Sequence, residues 1–378
     1  MNQILTVRHM PCPIAQFGRR HGIHCSSSSP QLPLAQAYLL QATSFQSFHM
    51  ALWPLNRRKS RVWCGSADGS WNELDAIYAR CKMWKWKGYN INYFVGGEGP
   101  ALLLVHGFGA SIGHWRRNIQ VLAESYTVYA IDLLGFGASD KPANLDFSME
   151  IWAELVLDFS KDVIQAPTVL IGNSVGSLAC LIASSEAPEN LVRGIVLLNC
   201  AGGMNNKAIV DDWRIKLVSP LLWLIDLLLK QRRIASALFE RVKTRENLKS
   251  ILQAVYSNKM SVDDELIEVI KKPADDPGAI DVFVSVLTGP PGPNPISLMP
   301  SISIPVLALW GDEDPFTPLD GPVGKYFSSL PSMFPNVEFV VLQGVGHCPH
   351  DDNPDSVHEK LLSWLANLPV QTPSVASA

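Results

Sequence analysis

The sequence predicts an α/β fold in which a mostly parallel, eight-stranded sheet carries helices on both faces and a helical insertion. Short apolar runs recur along the chain with segments of helical length between them. Such runs suit strands that are buried on both faces of a parallel sheet. The alternation stops after residue 198 and resumes near residue 305. Of the 378 residues, 47% are apolar and 17% are charged, which is typical of a packed globular protein.

The first 67 residues differ in charge from the rest of the chain. They contain seven Lys and Arg residues, no Asp or Glu, and a run of serines at 26–29. A basic, serine-rich and acid-free leader is typical of an organelle transit peptide, so we predict that residues 1–63 are a disordered transit segment. A basic tail without a targeting role is the alternative. We expect a linker to follow, up to about residue 80.

Charge and cysteine content exclude several kinds of site. The rest of the chain is acidic because it holds all 35 Asp and Glu residues, and the net charge of −4 gives no reason to expect nucleic-acid binding. The seven cysteines are scattered without a Cys-x-x-Cys pair. This spacing argues against a disulfide framework and against a structural zinc site.

A hairpin opens the predicted sheet. Residues 83–87 and 91–95 alternate polar and apolar side chains around Gly88, as two antiparallel strands joined by a tight turn do. Six buried strands follow, at residues 101–105, 128–131, 168–171, 194–198, 306–309 and 338–342. Helices are expected between them, at residues 149–165 and 177–187 among others. The sheet and its helices therefore occupy residues 80–203 and 299–368.

The helical insertion between two of these strands covers residues 204–298, and we call it the cap insertion. Its Trp and Leu content predicts a lid over an apolar ligand. The alternative is a surface insertion that faces solvent. The run Leu217–Leu229 is interrupted by Asp226 and is shorter than the roughly 20 residues that span a bilayer. It could still lie on a membrane surface or line an apolar pocket. A loop is expected at 288–300, which is rich in Pro and Gly.

The most informative motif is Gly172-Asn173-Ser174-Val175-Gly176, a G-x-S-x-G that follows a predicted strand and precedes a predicted helix. A nucleophile elbow needs this context, because the tight turn leaves no room for side chains two residues before and after the serine. Ser174 is therefore the predicted nucleophile. The start of the following helix offers backbone N–H groups to a developing oxyanion, and we assign one of them to Val175.

A second motif, His106-Gly107-Phe108-Gly109, follows the strand at 101–105. A loop in this place supplies the other oxyanion donor, which we assign to the backbone N–H of Phe108. We interpret His106 as a structural hydrogen-bonding residue. His114 and Trp115 are expected to be helix residues of the pocket wall.

Three acids, Asp312, Glu313 and Asp314, follow the strand at 306–309. A buried carboxylate at the end of a strand can orient an imidazole and stabilise it when protonated. We assign this role to Asp314, and we interpret Asp312 and Glu313 as a solvated acidic turn. Two further acids, at positions 132 and 140, are assigned to loop structure and not to chemistry.

The predicted general base is His347, which lies on a Gly-rich loop after the last strand. Gly344 and Gly346 are expected to free the backbone so that the imidazole reaches Ser174. His350 is interpreted as a residue that packs the loop, and Cys348 as a bystander. The sequence thus predicts a serine hydrolase that cleaves a carboxylic ester with Ser174, Asp314 and His347.

These motifs, in the chain order Ser, Asp, His, resemble those of α/β hydrolases over residues from about 85 to 368. The strings "GNSVGS" and "GVGHCPHDDNPDSV" resemble a plant group of pheophytinases and chlorophyll dephytylases, and residues 346–351 are the most specific piece. Ser177 stands where pheophytinases tend to have another glycine, and the leader is short. Both features favour the chlorophyll dephytylase branch.

The resemblance implies a chloroplast enzyme, associated with the thylakoid membrane, that releases phytol from chlorophyll and leaves chlorophyllide. The leader at 1–63 would then be a chloroplast transit peptide, and the partner a hydrophobic, chlorophyll-like ester. No cofactor and no metal of the protein's own are expected, because any magnesium would belong to the substrate.

Other functions stay open on sequence grounds. The ester of pheophytin is an alternative substrate. Hydrolases of C–C bonds in dienoic acids share the "GNS" elbow and the triad, although they act on small anions, for which a cationic pocket residue is expected. A receptor that binds a small ligand under its lid could also retain the triad. Epoxide hydrolases and dehalogenases are excluded, since they need Asp at the position of Ser174.

Overall fold

The computed structural model describes residues 73–205 and 227–368. Eight strands form one sheet in the order β1-β2-β4-β3-β5-β6-β7-β8. The pairs β1–β2 and β2–β4 are antiparallel and the other pairs are parallel, so the predicted mostly parallel, eight-stranded sheet is confirmed. The predicted leader at 1–63 lies outside the described residues.

The elements follow one another along the chain with these bounds. The strands are β1 Cys81–Trp86, β2 Tyr89–Gly96, β3 Ala101–Val105, β4 Thr127–Ile131, β5 Thr168–Asn173, β6 Val192–Leu198, β7 Val306–Gly311 and β8 Val337–Leu342. The helices around the sheet are α1 Glu73–Tyr78, α2 Ile119–Leu122, α3 Met149–Phe159, α4 Val175–Glu186, α10 Pro322–Met333, α11 Pro349–Asp352 and α12 Pro354–Ala366. The helices between β6 and β7 are α5 Arg232–Val242, α6 Arg245–Val255, α7 Asp264–Ala274, α8 Ala279–Thr288 and α9 Pro295–Leu298.

The predicted β1–β2 hairpin is present, and its turn is shorter than the predicted strand bounds imply. Trp86 pairs with Tyr89, so that Lys87 and Gly88 alone form the loop. Both have positive φ, 48° for Lys87 and 92° for Gly88. Two positive φ angles define the turn whose twist matches that of antiparallel strands, which explains the position of Gly88.

The sheet separates two apolar layers. Along β3, Leu103 and Val105 belong to one cluster and Leu102 and Leu104 to the other, and all four side chains are fully buried. The first cluster includes side chains of α3, α4 and α10, and the second includes those of α1, α2 and α12. A strand covered on both faces has no polar face, which is why β3 is a continuous apolar run.

Two short helices correct the sequence interpretation. Helix α1 lies where a linker was expected, because Leu74 and Ile77 on one face of the helix are buried. Helix α9 and a 3₁₀ turn at Met299–Ser301 interrupt the loop expected at 288–300. The Asn294 side chain accepts a hydrogen bond from the N–H of Ile296 and Pro295 begins the helix, which is a favourable helix start inside a Pro-rich segment.

The cap insertion is helical in its described part, from residue 227 onward. Of the Leu217–Leu229 run, only residues 227–229 lie within the described residues. Among the helices in the described ranges, none combines the length and the apolar character needed to cross a membrane.

We predict that truncation of the central strand β3 strongly destabilises the fold. Leu104 is fully buried, so Leu104→Ala should lower the free energy of unfolding by about 2–5 kcal/mol. Met83→Ala on the edge strand β1 serves as the control, because Met83 is 59% exposed and its loss should cost less than about 0.5 kcal/mol. Urea unfolding of both variants measures the difference, and equal losses would contradict this assignment of the core.

Candidate active site

The turn between β5 and α4 has the geometry of a nucleophile elbow. Ser174 has φ 55° and ψ −120°, a backbone conformation that is strained for a residue with a side chain. A Cβ on Gly172 would lie 2.4 Å from the backbone nitrogen of Ser177, and one on Gly176 would lie 2.4 Å from the carbonyl oxygen of Val105. Both glycines are therefore required by close backbone packing, as the motif predicts.

Three side chains that are distant in sequence form one hydrogen-bonded chain. The hydroxyl of Ser174 donates to Nε2 of His347 over 2.8 Å, and Nδ1–H of His347 donates to Oδ2 of Asp314 over 2.7 Å. His347 is 7% exposed and Asp314 is 2% exposed. An imidazole held in this way can accept the proton of a hydroxyl that attacks an electrophilic carbon.

Asp314 is held as a carboxylate by its neighbours. The N–H groups of Phe316 and Thr317 donate to Oδ1, and the Thr317 hydroxyl donates to Oδ2. Burial alone would raise the pKa of Asp314, but the neighbouring His347 and the hydrogen bonds from His347 and Thr317 outweigh it and lower the pKa from 3.8 to about 2. The carboxylate is thus ionised at neutral pH and can stabilise an imidazolium beside it.

Two buried asparagines, for which no role was predicted, connect the loops of the site by hydrogen bonds. The Nδ2 group of Asn173 donates to the carbonyl oxygen of His347 over 3.0 Å. The Nδ2 group of Asn199 donates to Oδ2 of Asp314 over 2.7 Å, and its Oδ1 accepts from the N–H of Gly311. Asn173 directly precedes Ser174, and Asn199 directly follows β6. Their position as polar residues at the ends of buried strands could have indicated these roles from the sequence.

The two predicted oxyanion donors lie on adjacent loops, since Val105 pairs with Gly172 in the sheet. A Cβ on Gly107 would lie 3.3 Å from Cβ of Ser174, so the loop that carries Phe108 passes directly beside the serine. Within residues 73–205 and 227–368, neither the N–H of Phe108 nor that of Val175 has a hydrogen-bond acceptor. Two unpaired donors next to a serine hydroxyl can bind a carbonyl oxygen that gains negative charge.

His106 and Asp132 maintain the loops beside this site. Nδ1 of His106 donates to the carbonyl oxygen of Gly107 over 2.7 Å and Nε2 accepts from the N–H of Leu133 over 3.0 Å, so the neutral imidazole is fully paired. Asp132 accepts from the N–H groups of Ile112 and Ala138 and from the side chain of Asn92. These contacts agree with the structural roles assigned from the sequence. Asp140 likewise accepts a hydrogen bond from the N–H of Asn90.

His114, Trp115 and His350 form a buried cluster. His114 and Trp115 belong to a 3₁₀ helix, in agreement with the helix residues expected from the sequence, and they are 4% and 1% exposed. The His350 ring lies 4.2 Å from that of Trp115 and 4.5 Å from that of His114. Burial lowers the pKa of His114 to about 4 and holds that of His350 well below 6.5, so both rings are neutral at pH 7.

The acidic turn before Asp314 is solvated and also contacts two other segments: Asp312 is half-buried and Glu313 is exposed. Asp312 accepts hydrogen bonds from the N–H groups of Gly344 and Val345, and Glu313 accepts one from the hydroxyl of Ser257. Both acids therefore bind neighbouring segments, and Asp312 braces the loop that leads to His347. These hydrogen bonds could not be predicted from the sequence because the partner segments are distant along the chain.

Aromatic side chains from the core and the cap insertion meet above the site. The ring of Phe108 packs 5.7 Å from that of Phe136 and 6.1 Å from that of Phe283, which itself packs 5.1 Å from that of Phe239. We call these four residues the aromatic wall. Phe108 remains 39% exposed beside Ser174, so the wall offers an apolar face to a bound molecule. The sequence predicts an apolar cap and singles out Phe108 for its backbone N–H, but it does not indicate Phe136, Phe239 or Phe283.

Potential metal ligands do not cluster in the described part of the chain. No group of three or more His, Cys, Asp or Glu side chains there is arranged to hold a metal ion. The four cysteines in the described ranges, Cys81, Cys180, Cys200 and Cys348, are free thiols.

Residues 100–354 match the family described as alpha/beta hydrolase fold, which is more than half of the chain. Arabidopsis thaliana pheophytinase, a chloroplast protein, is 26% identical over 72% of this chain, and the match spans 62% of its own length. The pimeloyl-[acyl-carrier protein] methyl ester esterase of Aliivibrio fischeri is 27% identical over 71% of this chain and 95% of its own.

Among solved structures, the serine hydrolase of carbazole degradation (CarC enzyme) has a TM-score of 0.60 and 21% identity. The match covers 76% of this chain and 98% of that protein. At this level of identity the likeness concerns the fold alone.

We predict that Asp314 stabilises the fold in a pH-dependent manner. Its pKa of about 2 in the folded state lies below the ordinary 3.8, so its contribution is complete above about pH 4 and is lost as the pH falls toward 2. The free-energy difference between wild type and Asp314→Asn should therefore shrink by about 2 kcal/mol from pH 5 to pH 2. Urea unfolding at several pH values measures it, and parallel curves would contradict the prediction.

Proposed function

Because the chain belongs to the α/β hydrolase fold family, we propose that it is a serine hydrolase that cleaves carboxylic esters. The observation that carries this proposal is the continuous hydrogen-bonded chain from the Ser174 hydroxyl through His347 to Asp314. Ser174 acts as the nucleophile, His347 as the general base and acid, and Asp314 as the group that orients and stabilises the imidazole.

The reaction proceeds in two steps. His347 accepts the proton of Ser174 as Oγ attacks the ester carbonyl, and the N–H groups of Phe108 and Val175 bind the resulting oxyanion. His347 then protonates the departing alcohol, which leaves an acyl group on Ser174. Water, deprotonated by the same imidazole, attacks this acyl group and releases the carboxylic acid. The chain's own residues supply every proton transfer, and the proposed reaction uses no cofactor.

The substrate is a hydrophobic ester, and the phytyl ester of chlorophyll is our specific proposal. The aromatic wall beside Ser174 supports an apolar substrate, since it would replace water around a long hydrocarbon or a flat ring system. The similarity to pheophytinase and the "GHCPHD" string support a phytyl ester within that class. The products would be chlorophyllide and phytol; pheophytin is the alternative substrate.

We propose a chloroplast location with peripheral attachment to the thylakoid membrane. The basic, acid-free leader and the similarity to a chloroplast protein support the location. Leu227 and Leu228 in the cap insertion are 44% and 40% exposed, followed by Lys230 and two arginines, which supports contact with a lipid surface. A membrane-bound ester would then enter the site from the cap side.

We predict that Ser174→Ala abolishes ester hydrolysis and leaves the fold intact. Loss of the nucleophile should reduce kcat for a short-chain aryl ester by at least about 10³-fold. Ser184→Ala is the matched control, because Ser184 lies on the same helix α4 and its hydroxyl donates to the carbonyl oxygen of Cys180 in that helix. It should keep kcat within about twofold. Undiminished turnover by Ser174→Ala would refute the mechanism.

The substrate proposal is tested by incubating the purified protein with chlorophyll and, separately, with pheophytin. Chromatography should detect chlorophyllide and phytol with wild type and neither product with Ser174→Ala. Hydrolysis of the aryl ester without release of phytol from either pigment would support the esterase activity and refute the phytyl ester as the substrate. Tight binding of a ligand without turnover of any ester would favour the receptor, and cleavage of a dienoic acid would favour a C–C bond hydrolase.

We predict that the cap side of the aromatic wall selects apolar substrates. Phe283→Ala should raise KM for a long-chain ester about tenfold, because the variant loses apolar contact area, and should leave kcat/KM for a short ester nearly unchanged. Ile251→Ala, an exposed cap residue outside the wall, should change neither value. An equal effect of Phe283→Ala on both esters would argue against this role.

A further inference from the structure

We propose that Asp352 is a positioning residue that fixes His347 against the cap insertion, so that the segment between α6 and α7 supports the general base. The inference rests on the proposed function, since it concerns the placement of the general base. Asp352 ends helix α11, five residues after His347, and is 1% exposed. Its carboxylate faces backbone groups of both the histidine loop and the cap insertion.

The two oxygens of Asp352 receive three backbone hydrogen bonds from two segments. The N–H of Gly346 donates to Oδ2 over 2.6 Å, and the N–H of Ser257 donates to the same oxygen over 2.9 Å. The N–H of Asn258 donates to Oδ1 over 2.8 Å. One carboxylate therefore connects the residue directly before His347 to the cap segment that follows α6. A buried charge satisfied by backbone N–H groups is held in a single orientation.

A second contact joins the same two segments without Asp352. The N–H of His347 donates to the carbonyl oxygen of Val255 over 3.1 Å, so the backbone of His347 is itself bonded to the end of α6. A Cβ on Gly346 would lie 2.2 Å from this carbonyl oxygen and 2.9 Å from the nitrogen of Ser257. Glycine at 346 therefore serves this close approach by the cap insertion, in place of the loop freedom expected from the sequence.

The cap segment is in turn anchored to the core by a buried cation. Arg116, whose side chain is 3% exposed, pairs with Asp351 and also with Asp263 and Glu265 at the start of α7. Between them, Tyr256 donates its hydroxyl proton to Asp351 over 3.0 Å. Residues on both sides of Ser257 and Asn258 are thus fixed, and the segment can serve as a rigid support for the histidine loop.

The triad consequently has two sources of support. Ser174 and Asp314 are placed by the ends of sheet strands. The backbone of His347 is held by Asn173 at the end of β5 and also by the cap segment, through Asp352 and Val255. Proton transfer requires His347 to be within hydrogen-bond reach of Ser174, and a misplacement of about 1 Å can reduce turnover about 10²-fold. A change at Asp352 should therefore lower kcat while substrate contacts remain.

The principal variant is Asp352→Asn, which keeps the size of the side chain but turns an NH₂ group toward at least one backbone donor. We expect kcat to fall between about 10-fold and 100-fold with KM within about twofold of wild type, for short and long esters alike. Asp276→Asn is the matched control: Asp276 forms an ion pair between the cap insertion and Lys141 of the core, away from the histidine loop. It should retain wild-type kcat.

A fluorophosphonate provides a readout that separates positioning from loss of folded protein. Oγ of Ser174 bonds to phosphorus, fluoride leaves, and His347 takes the serine proton, so the rate depends on His347 and the final amplitude counts folded sites. Asp352→Asn should label to the full amplitude at a rate reduced by the same factor as kcat. Gly346→Ala, which forces the two segments apart, should show the same pattern.

The outcomes distinguish this inference from the proposed function. Wild type that neither reacts with the fluorophosphonate nor cleaves any ester would refute the proposed function. A reactive wild type together with an Asp352→Asn variant of unchanged labelling rate would refute the positioning role alone. Reduced amplitude with an unchanged rate in Asp352→Asn and Gly346→Ala would mean that these residues support folding only, which also overturns the inference.

Discussion

The hydrogen-bonded chain of Ser174, His347 and Asp314 depends on the register of a parallel sheet. Parallel strands end at the same edge, so the loops after β5, β7 and β8 emerge side by side although their residues are far apart in sequence. The sheet fixes this edge through close backbone packing, as at Gly176 against the carbonyl oxygen of Val105. The strained backbone of Ser174 is tolerated because that packing leaves the elbow no other conformation.

The charge state differs between the carboxylate that contacts the general base and the buried histidines that have structural roles. Asp314 stays ionised because N–H, hydroxyl and imidazole groups surround it, whereas His106, His114 and His350 stay neutral because they are buried. A neutral His106, paired at both nitrogens, preserves the loop that carries Phe108 and does not add a second cation beside the oxyanion. The histidine that faces the serine is also the one that faces an ionised carboxylate.

Local sequence patterns predicted most of the fold, and long-range contacts explain the remainder. Apolar runs located six of the eight strands, because a buried strand has a composition that solvent-exposed segments lack, and the alternation of polar and apolar side chains located β1 and β2. Helix α1 was missed, since a segment of six residues is too short to give a periodic signal, and only contact with the core shows that Leu74 and Ile77 share a buried face. The roles of Asp312, Asp352 and the aromatic wall could not be predicted for a similar reason. Each depends on a partner in a different part of the chain, and the spacing of residues along one segment does not reveal that partner.

Gly346 shows how one residue can be predicted correctly for an incomplete reason. A glycine before the histidine indicates a flexible loop when only the loop is considered, yet the structure places Val255 and Ser257 where its side chain would be. Such packing makes the loop rigid, because backbone donors on both sides are paired through Asp352. Rigidity is what a general base requires, since its nitrogen must stay aligned with a hydroxyl 2.8 Å away through two successive proton transfers. The cap insertion is thereby coupled to His347 by backbone contacts and to the aromatic wall by Phe283, so that a change in its position would affect both.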